Sequence, residues 1–301
     1  MIFREITPAE VKISLIHLPQ LLLEVTDTRN LPDPGKAGFM RFRQARLMID
    51  YLVQFWESNP YGSYTPVTCF SFQGGEPLLN MLLIGQVIEY LEKLNIRRTF
   101  IYSVDTNAIL LDEYADYLAE KQVRLHIHSG RYENAGNYGI NGIEINPFHK
   151  ICSNINALQQ AYPDYFTRYV KISTGSPGEE APAGGENGGY TPDYDHLFWD
   201  RSRSRNPGTG TCLPFSTKLF VTADGKILPC EKTERRFALG EITRKGIDLD
   251  FELIAGKLNH YLNKIKKQCA HCYRNEKCMQ CLYSIPGISG KNPVCPGYRN
   301  K

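Results

Sequence analysis

The sequence predicts an α/β protein in which a parallel sheet, either open or curved into part of a barrel, precedes a small cysteine-rich domain. Two observations support this prediction. Short apolar runs alternate with amphipathic helical stretches through residues 1–173, and regular β–α alternation is typical of parallel sheets. In addition, seven of the nine cysteines lie between Cys212 and Cys295.

Five strands and four helices are predicted in the first part of the chain. The strands are short apolar runs at residues 21–25, 67–72, 99–104, 123–127 and 169–173. The helices have apolar residues at helical spacing, at residues 42–57, 79–94, 111–120 and 151–162. Helical connections between parallel strands predict right-handed crossovers.

The pattern changes at Thr174. Residues 175–189 contain six glycines and two prolines, with too little apolar surface to order themselves. Beyond them, apolar runs at 218–222 and 227–229 flank a glycine turn and predict a β-hairpin, and a helix is predicted at 249–267. We therefore interpret residues 1–173 as the barrel, 174–211 as a Gly/Pro-rich linker and 212–301 as the cysteine-rich domain.

Composition and charge exclude several classes of protein. The net charge of +3 and the lack of a long basic run argue against a nucleic-acid partner. No apolar stretch approaches the roughly 18 residues of a membrane span, and the N-terminus has no secretory signal pattern. We expect a cytoplasmic protein, and in that compartment clustered cysteines are more often metal ligands than disulfides.

The spacing of the late cysteines favours iron–sulfur clusters. Cys269 and Cys272 form one pair and Cys278 and Cys281 a second, with five residues between the pairs. Zinc ribbons usually separate two such pairs by about 12–20 residues. Iron–sulfur clusters take four cysteines, or three with an open iron, so seven thiols fit two clusters. Zinc and disulfides remain the alternatives.

This cysteine pattern, with the wording of residues 219–225 and 229–231, resembles the SPASM domain of radical S-adenosylmethionine (radical SAM) peptide maturases. The turn Gly74-Gly75-Glu76-Pro77, which follows a predicted strand, resembles their GGEP motif, and Thr106-Asn107-Ala108 resembles their TNG segment. The closest likeness is to the GG-Bacteroidales type. One departure is that two residues separate Cys278 from Cys281, where the family usually has three.

The resemblance implies a fold and a set of ligands. The fold is a partial (β/α) barrel of about five to six parallel strands, followed by a SPASM-like domain with a β-hairpin. Two auxiliary 4Fe–4S clusters are implied, and S-adenosylmethionine would meet the GGEP turn. The implied ligands are Cys269, Cys272, Cys278 and Cys295 for one cluster, Cys212, Cys230 and Cys281 for the other, and Gly74, Gly75, Glu76, Pro77 and Asn107 for the cofactor.

The cysteines of the family's primary cluster are missing. Radical SAM enzymes have Cys-x3-Cys-x2-Cys after the first strand, whereas Arg29, Asp33 and Lys36 stand at these positions here. No cysteine lies between Met1 and Thr68. Neither a guanidinium nor an ammonium group donates to iron. The chain is thus identified as a degenerate member of the family, with no catalytic residue assigned and S-adenosylmethionine binding left open.

These features lead to one functional expectation and two alternatives. We expect a non-catalytic protein of ribosomal peptide maturation, whose partner is a precursor peptide, a catalytic radical SAM protein or both. The first alternative is an active radical SAM oxidoreductase that modifies a peptide side chain. The second is a zinc-binding module.

Three further residues have structural interpretations. His126 and His128 are two apart on a predicted strand and therefore share a face. With no third ligand evident, we interpret them as histidines satisfied inside the barrel rather than as metal ligands. Cys152, in a predicted helix, is interpreted as inert.

Overall fold

A sheet of nine strands forms the centre of the computed structural model, which describes residues 5–29, 38–57, 65–129, 138–140, 143–173, 211–272, 278, 280–296 and 298. The strands before the predicted linker are β1 Gln20–Thr26, β2 Val67–Gly74, β3 Thr99–Thr106, β4 Arg124–His128, β5 Tyr138–Ile140, β6 Ile143–Ile145 and β7 Val170–Ser173. β1, β2, β3, β4 and β7 pair in this order, all parallel. They confirm the five predicted strands to within two residues. β5 and β6 form a separate hairpin.

Seven helices accompany the sheet in the described residues. They are α1 Pro8–Ile16, α2 Phe42–Glu57, α3 Met81–Glu92, α4 Leu111–Glu120, α5 Pro147–Ala161, α6 Pro163–Tyr169 and α7 Phe251–Ala270. α3 begins later than predicted because Pro77–Asn80 forms a 3-10 turn. α5 begins earlier because the Asn146 side chain accepts a hydrogen bond from the backbone N–H of His149 and caps the helix. α1 was not predicted, although Thr7 and Glu10 form a capping box at its start.

The two faces of the parallel strands differ in polarity. On one face, Gln20 Nε2 and Ser103 Oγ both donate hydrogen bonds to Ser71 Oγ, at 2.7 and 2.8 Å. Side chains alternate between faces along a strand, so the other face carries the apolar residues. These pack with the helices in the main core and include Leu21, Leu23, Phe70, Phe72, Val104, Leu125 and Ile127.

The predicted C-terminal hairpin joins this same sheet. It consists of β8 Leu219–Val221 and β9 Lys226–Leu228, and β8 pairs parallel with β1. β10 Gly240–Thr243 and β11 Gly246–Leu249 add two antiparallel strands that the sequence did not predict. Glu24 of β1 stabilises the junction, because its Oε2 accepts hydrogen bonds from the backbone N–H of Ala223 at 2.8 Å and from Arg235 at 3.0 Å.

β1 and β2 approach each other closely at their carboxyl ends. At two positions there the backbones are too close for any side chain, and both positions are glycines. A Cβ on Gly74 would lie 1.8 Å from the carbonyl oxygen of Thr26, and one on Gly75 would lie 2.1 Å from that of Thr28. Backbone hydrogen bonds close the turn, from Gly75 N to Thr26 O at 2.9 Å and from Glu76 N to Thr28 O at 2.8 Å. Packing alone therefore accounts for both glycines of the GGEP turn.

Gly74→Ala should destabilise the fold much more than its matched control, Gly246→Ala. Both glycines have φ of +137°, but nothing lies within 4 Å of the Cβ position at Gly246. The unfavourable φ costs about 1–3 kcal/mol in either variant, and the collision with Thr26 should add roughly 2 kcal/mol or more to the Gly74 variant. Urea unfolding measures both losses. Equal losses would show that the Thr26 carbonyl does not constrain the turn.

Candidate functional site

The Glu76 carboxylate holds the carboxyl ends of β2 and β3 together. It is 1% exposed. Its Oε1 accepts hydrogen bonds from Leu78 N at 3.1 Å and Thr106 Oγ1 at 2.7 Å, and its Oε2 accepts one from Asn107 N at 2.9 Å. Burial raises the pKa of Glu76, and these three hydrogen bonds oppose the shift. The carboxylate thus has a structural role, and binding of a cofactor by this turn stays a prediction.

The segment after β3 is also fixed by hydrogen bonds within the chain. Asn107 Oδ1 accepts a hydrogen bond from Ile109 N at 3.0 Å, and Asn154 Nδ2 donates to Ala108 O at 2.8 Å. Ala108 has φ of +65°, in the left-handed region that favours glycine. The structure therefore brings Asn107 next to Glu76, and binding of a cofactor by Asn107 stays a prediction.

Hydrogen bonds join the two ends of the loop after β1. Asp27 Oδ1 accepts a hydrogen bond from Gly38 N at 2.6 Å, and Thr26 Oγ1 donates to Gly38 O at 2.9 Å. Arg29 follows at the edge of the described residues, and Asp33 and Lys36 lie outside them. We call the carboxyl ends of the parallel strands β1, β2, β3, β4 and β7 the sheet mouth. Since the sequence has no cysteine before Cys69, this loop brings no thiol to the sheet mouth.

Four cysteines come together around the end of α7. Burial raises the pKa of Cys269 to about 11, and the neighbouring thiols of Cys278, Cys295 and Cys272 add to the shift. The α7 residue Gln268 holds the last segment in place, because its Oε1 accepts a hydrogen bond from Cys295 N at 3.0 Å and its Nε2 donates to Pro293 O at 2.7 Å. Metal binding by this group stays a prediction.

The other three late cysteines gather around Tyr283. Burial raises the pKa of this tyrosine, and the thiols of Cys281, Cys230 and Cys212 contribute to the shift. A hydrogen bond of 2.8 Å from Leu282 N to Thr211 Oγ1 joins the segments that carry Cys281 and Cys212. The structure thus places the seven late cysteines in two groups, and metal binding by the second group is likewise a prediction.

His126 and His128 have an acidic neighbour that the sequence analysis did not find. Asp105 of β3 pairs in register with His126 of β4, and its Oδ1 lies 3.4 Å from His126 Nδ1. The rings of His126 and His128 have centroids 4.2 Å apart. Asp105 is therefore a third potential ligand that was not evident from the sequence, and the interpretation of the histidines as satisfied within the fold stays a prediction. The signal was available, since Asp105 lies at the carboxyl end of the strand predicted just before theirs.

Comparison with known sequences gives one partial relative. No protein-family model matches the chain. An uncharacterized protein of Methanocaldococcus jannaschii, MJ0907, is 33% identical over 135 residues, or 43% of this chain. This match spans 41% of the length of the relative.

Solved structures give a clearer likeness of fold. The chain is similar to native anSMEcpe with bound AdoMet and Kp18Cys peptide, with 17% identity, a TM-score of 0.55, and coverage of 94% of this chain and 93% of that one. SuiB of Streptococcus suis bound to S-adenosylmethionine has 14% identity and a TM-score of 0.36, over 95% of this chain and 77% of its own. The chain therefore has a mixed α/β fold with a mainly parallel sheet, and it shares this fold with anSMEcpe.

No helix in the described part of the chain is long and apolar enough to cross a membrane.

Glu76→Gln should destabilise the protein by about 1–3 kcal/mol, because an amide nitrogen would then face a hydrogen-bond donor at a buried site. Glu57→Gln, at the exposed end of α2, is the matched control and should change stability little. Urea unfolding of the metal-free protein checks this. Equal stability of the two variants would contradict the structural role of the Glu76 carboxylate.

Proposed function

We propose that this chain is a degenerate radical SAM/SPASM-like protein of the GG-Bacteroidales type, which holds two auxiliary 4Fe–4S clusters and lacks the primary one. It acts in ribosomal peptide maturation as a non-catalytic partner of a precursor peptide or of a catalytic radical SAM protein. The observation that carries this proposal is the contrast between two groups of thiols in the C-terminal part and a β1 loop without any cysteine.

The first thiol group fits an iron–sulfur cluster by its donor chemistry. Cys269, Cys272, Cys278 and Cys295 supply the four thiolates that a 4Fe–4S cluster takes. Burial and the three neighbouring thiols raise the pKa of Cys269, and thiolate charges placed close together repel one another. Iron bound to these sulfurs would compensate that charge, and such compensation is typical of thiolate metal sites.

The second group fits a cluster with one iron open to another ligand. Cys212, Cys230 and Cys281 supply three thiolates, which is enough for such a cluster. Cys212 is exposed while Cys230 and Cys281 are partly buried, so the group faces solvent on one side. A side chain of a bound peptide or partner could reach the group from that side.

The mouth of the sheet does not fit a primary cluster. Arg29 stands where the first cysteine would be, and a guanidinium does not bind iron. Because the retained GGEP turn is explained by packing and by the contacts of Glu76, its presence does not require S-adenosylmethionine. The chain keeps the shape of a radical SAM protein without the soft donors that its primary chemistry needs.

A peptide partner is supported by a neighbour in structure. Kp18Cys peptide is bound in the anSMEcpe structure, whose fold this chain shares. We place the protein in the cytoplasm, where thiols stay reduced and free to bind iron.

Anaerobic reconstitution with iron and sulfide should load up to about eight irons per chain. Cys272→Ala and Cys230→Ala, one from each thiol group, should each remove about four of these irons. Cys152→Ala, outside both groups, is the matched control and should retain all of them. Iron and sulfide analysis, with electron paramagnetic resonance of the reduced protein, measures the outcome. Colourless protein with zinc in place of iron would favour the zinc-binding module instead.

The reconstituted and reduced protein should form no 5′-deoxyadenosine from S-adenosylmethionine, because no thiolate holds an iron at the sheet mouth. Chromatography with mass detection of the nucleoside measures this, with an active radical SAM enzyme as positive control in the same buffer. Stoichiometric 5′-deoxyadenosine from the native chain would overturn the non-catalytic role. It would favour the active peptide-modifying oxidoreductase.

A further inference from the structure

A cluster of nitrogen and oxygen donors lies at the sheet mouth and includes none of the late cysteines. Asp105, His126 and His128 each offer one ligand atom, and these atoms lie within 4.8 Å of one another. His126 and His128 close β4, and Asp105 is the penultimate residue of β3. The carboxyl ends of parallel strands are where α/β proteins form their ligand sites.

The distance between Asp105 Oδ1 and His126 Nδ1 fits two ligands of one metal ion better than it fits a direct, hydrogen-bonded ion pair. Asp105 Oδ1 and His126 Nδ1 are 3.4 Å apart. A charge-assisted hydrogen bond would hold them at about 2.7–2.9 Å. Two donors about 2.1 Å from one ion, at a tetrahedral angle, lie roughly 3.4 Å apart.

The neighbouring residues orient both donors toward each other. Gln73 Nε2 donates a hydrogen bond of 2.8 Å to Asp105 Oδ2, which leaves Oδ1 directed at His126. Ser173 Oγ lies 2.9 Å from His126 Nε2. When the N–H of Nε2 donates a hydrogen bond to Ser173 Oγ, the lone pair of Nδ1 is available on the side of Asp105. Such outer contacts of ligating histidines and carboxylates are common in metal sites.

We propose that Asp105, His126 and His128 bind one divalent first-row transition ion. Two imidazoles and one carboxylate suit such ions and leave coordination positions open. The side chains of Asp105 and His126 are 34% and 28% exposed, so water or a small ligand can occupy those positions. This site uses none of the cysteines and holds whether or not the thiol groups carry clusters.

Mn²⁺ is the suitable probe, because carboxylate and imidazole bind it whereas thiolates prefer softer ions. The full chain, with its thiols loaded with iron and sulfide, is titrated with Mn²⁺, and free Mn²⁺ is followed by electron paramagnetic resonance. We expect one ion per chain, with affinity lowered at least about tenfold in Asp105→Asn and His128→Gln. His149→Gln, an exposed histidine on α5, is the matched control and should bind normally.

Two further measurements keep the proposal testable if a ligand variant fails to fold. Lys171→Met should bind Mn²⁺ at least as tightly as the native chain, because Lys171 pairs in register with His126 and its positive charge opposes a cation. Pulsed paramagnetic resonance of the native complex should show nitrogen couplings from two imidazoles. Failure of the native chain to bind Mn²⁺, binding that the ligand variants retain, or a complex without imidazole couplings would each overturn the site.

Discussion

The contact between the carboxyl ends of β1 and β2 is the constraint on which the sheet mouth depends. Gly74 and Gly75 lie against the carbonyl oxygens of Thr26 and Thr28 at distances that no Cβ could occupy. This contact sets the position of Glu76, whose carboxylate in turn holds the start of the segment after β3. The carboxyl ends of β1, β2 and β3 are thereby fixed next to one another.

β1 connects the two parts of the chain because it is paired on both edges. β2 lies on one side and β8 on the other, and Glu24 accepts hydrogen bonds from residues near the C-terminal hairpin. Asn259 of α7 also exchanges hydrogen bonds of 2.8 and 2.9 Å with the backbone of Ile6. The helix that carries Cys269 is therefore anchored to the start of the chain, whereas the other six late cysteines lie outside the named helices and strands.

The spacing of apolar residues predicted the elements that the local sequence determines. It did not predict the strands and contacts that depend on residues distant in the sequence. The five parallel strands and the hairpin were predicted because apolar runs and a glycine turn mark them directly. β10 and β11 were missed because short strands with few apolar residues are stabilised by neighbours in the sheet. Asp105 was missed because further ligands for the two histidines were sought only on their own predicted strand. The register that brings Asp105 beside His126 joins residues 21 positions apart, and only strand order in the sheet reveals it.

The chain separates its potential metal donors by chemical softness. Seven thiols lie in the C-terminal part, where burial and the neighbouring thiols raise the pKa of Cys269 to about 11. The sheet mouth has carboxylate, imidazole, amide and hydroxyl groups instead. Soft ligands select iron–sulfur clusters, and imidazole with carboxylate selects single divalent ions. The β1 loop has no cysteine, whereas Asp105, His126 and His128 offer oxygen and nitrogen donors at the carboxyl ends of β3 and β4. The proposed divalent-ion site and the proposed clusters thus depend on separate sets of donors.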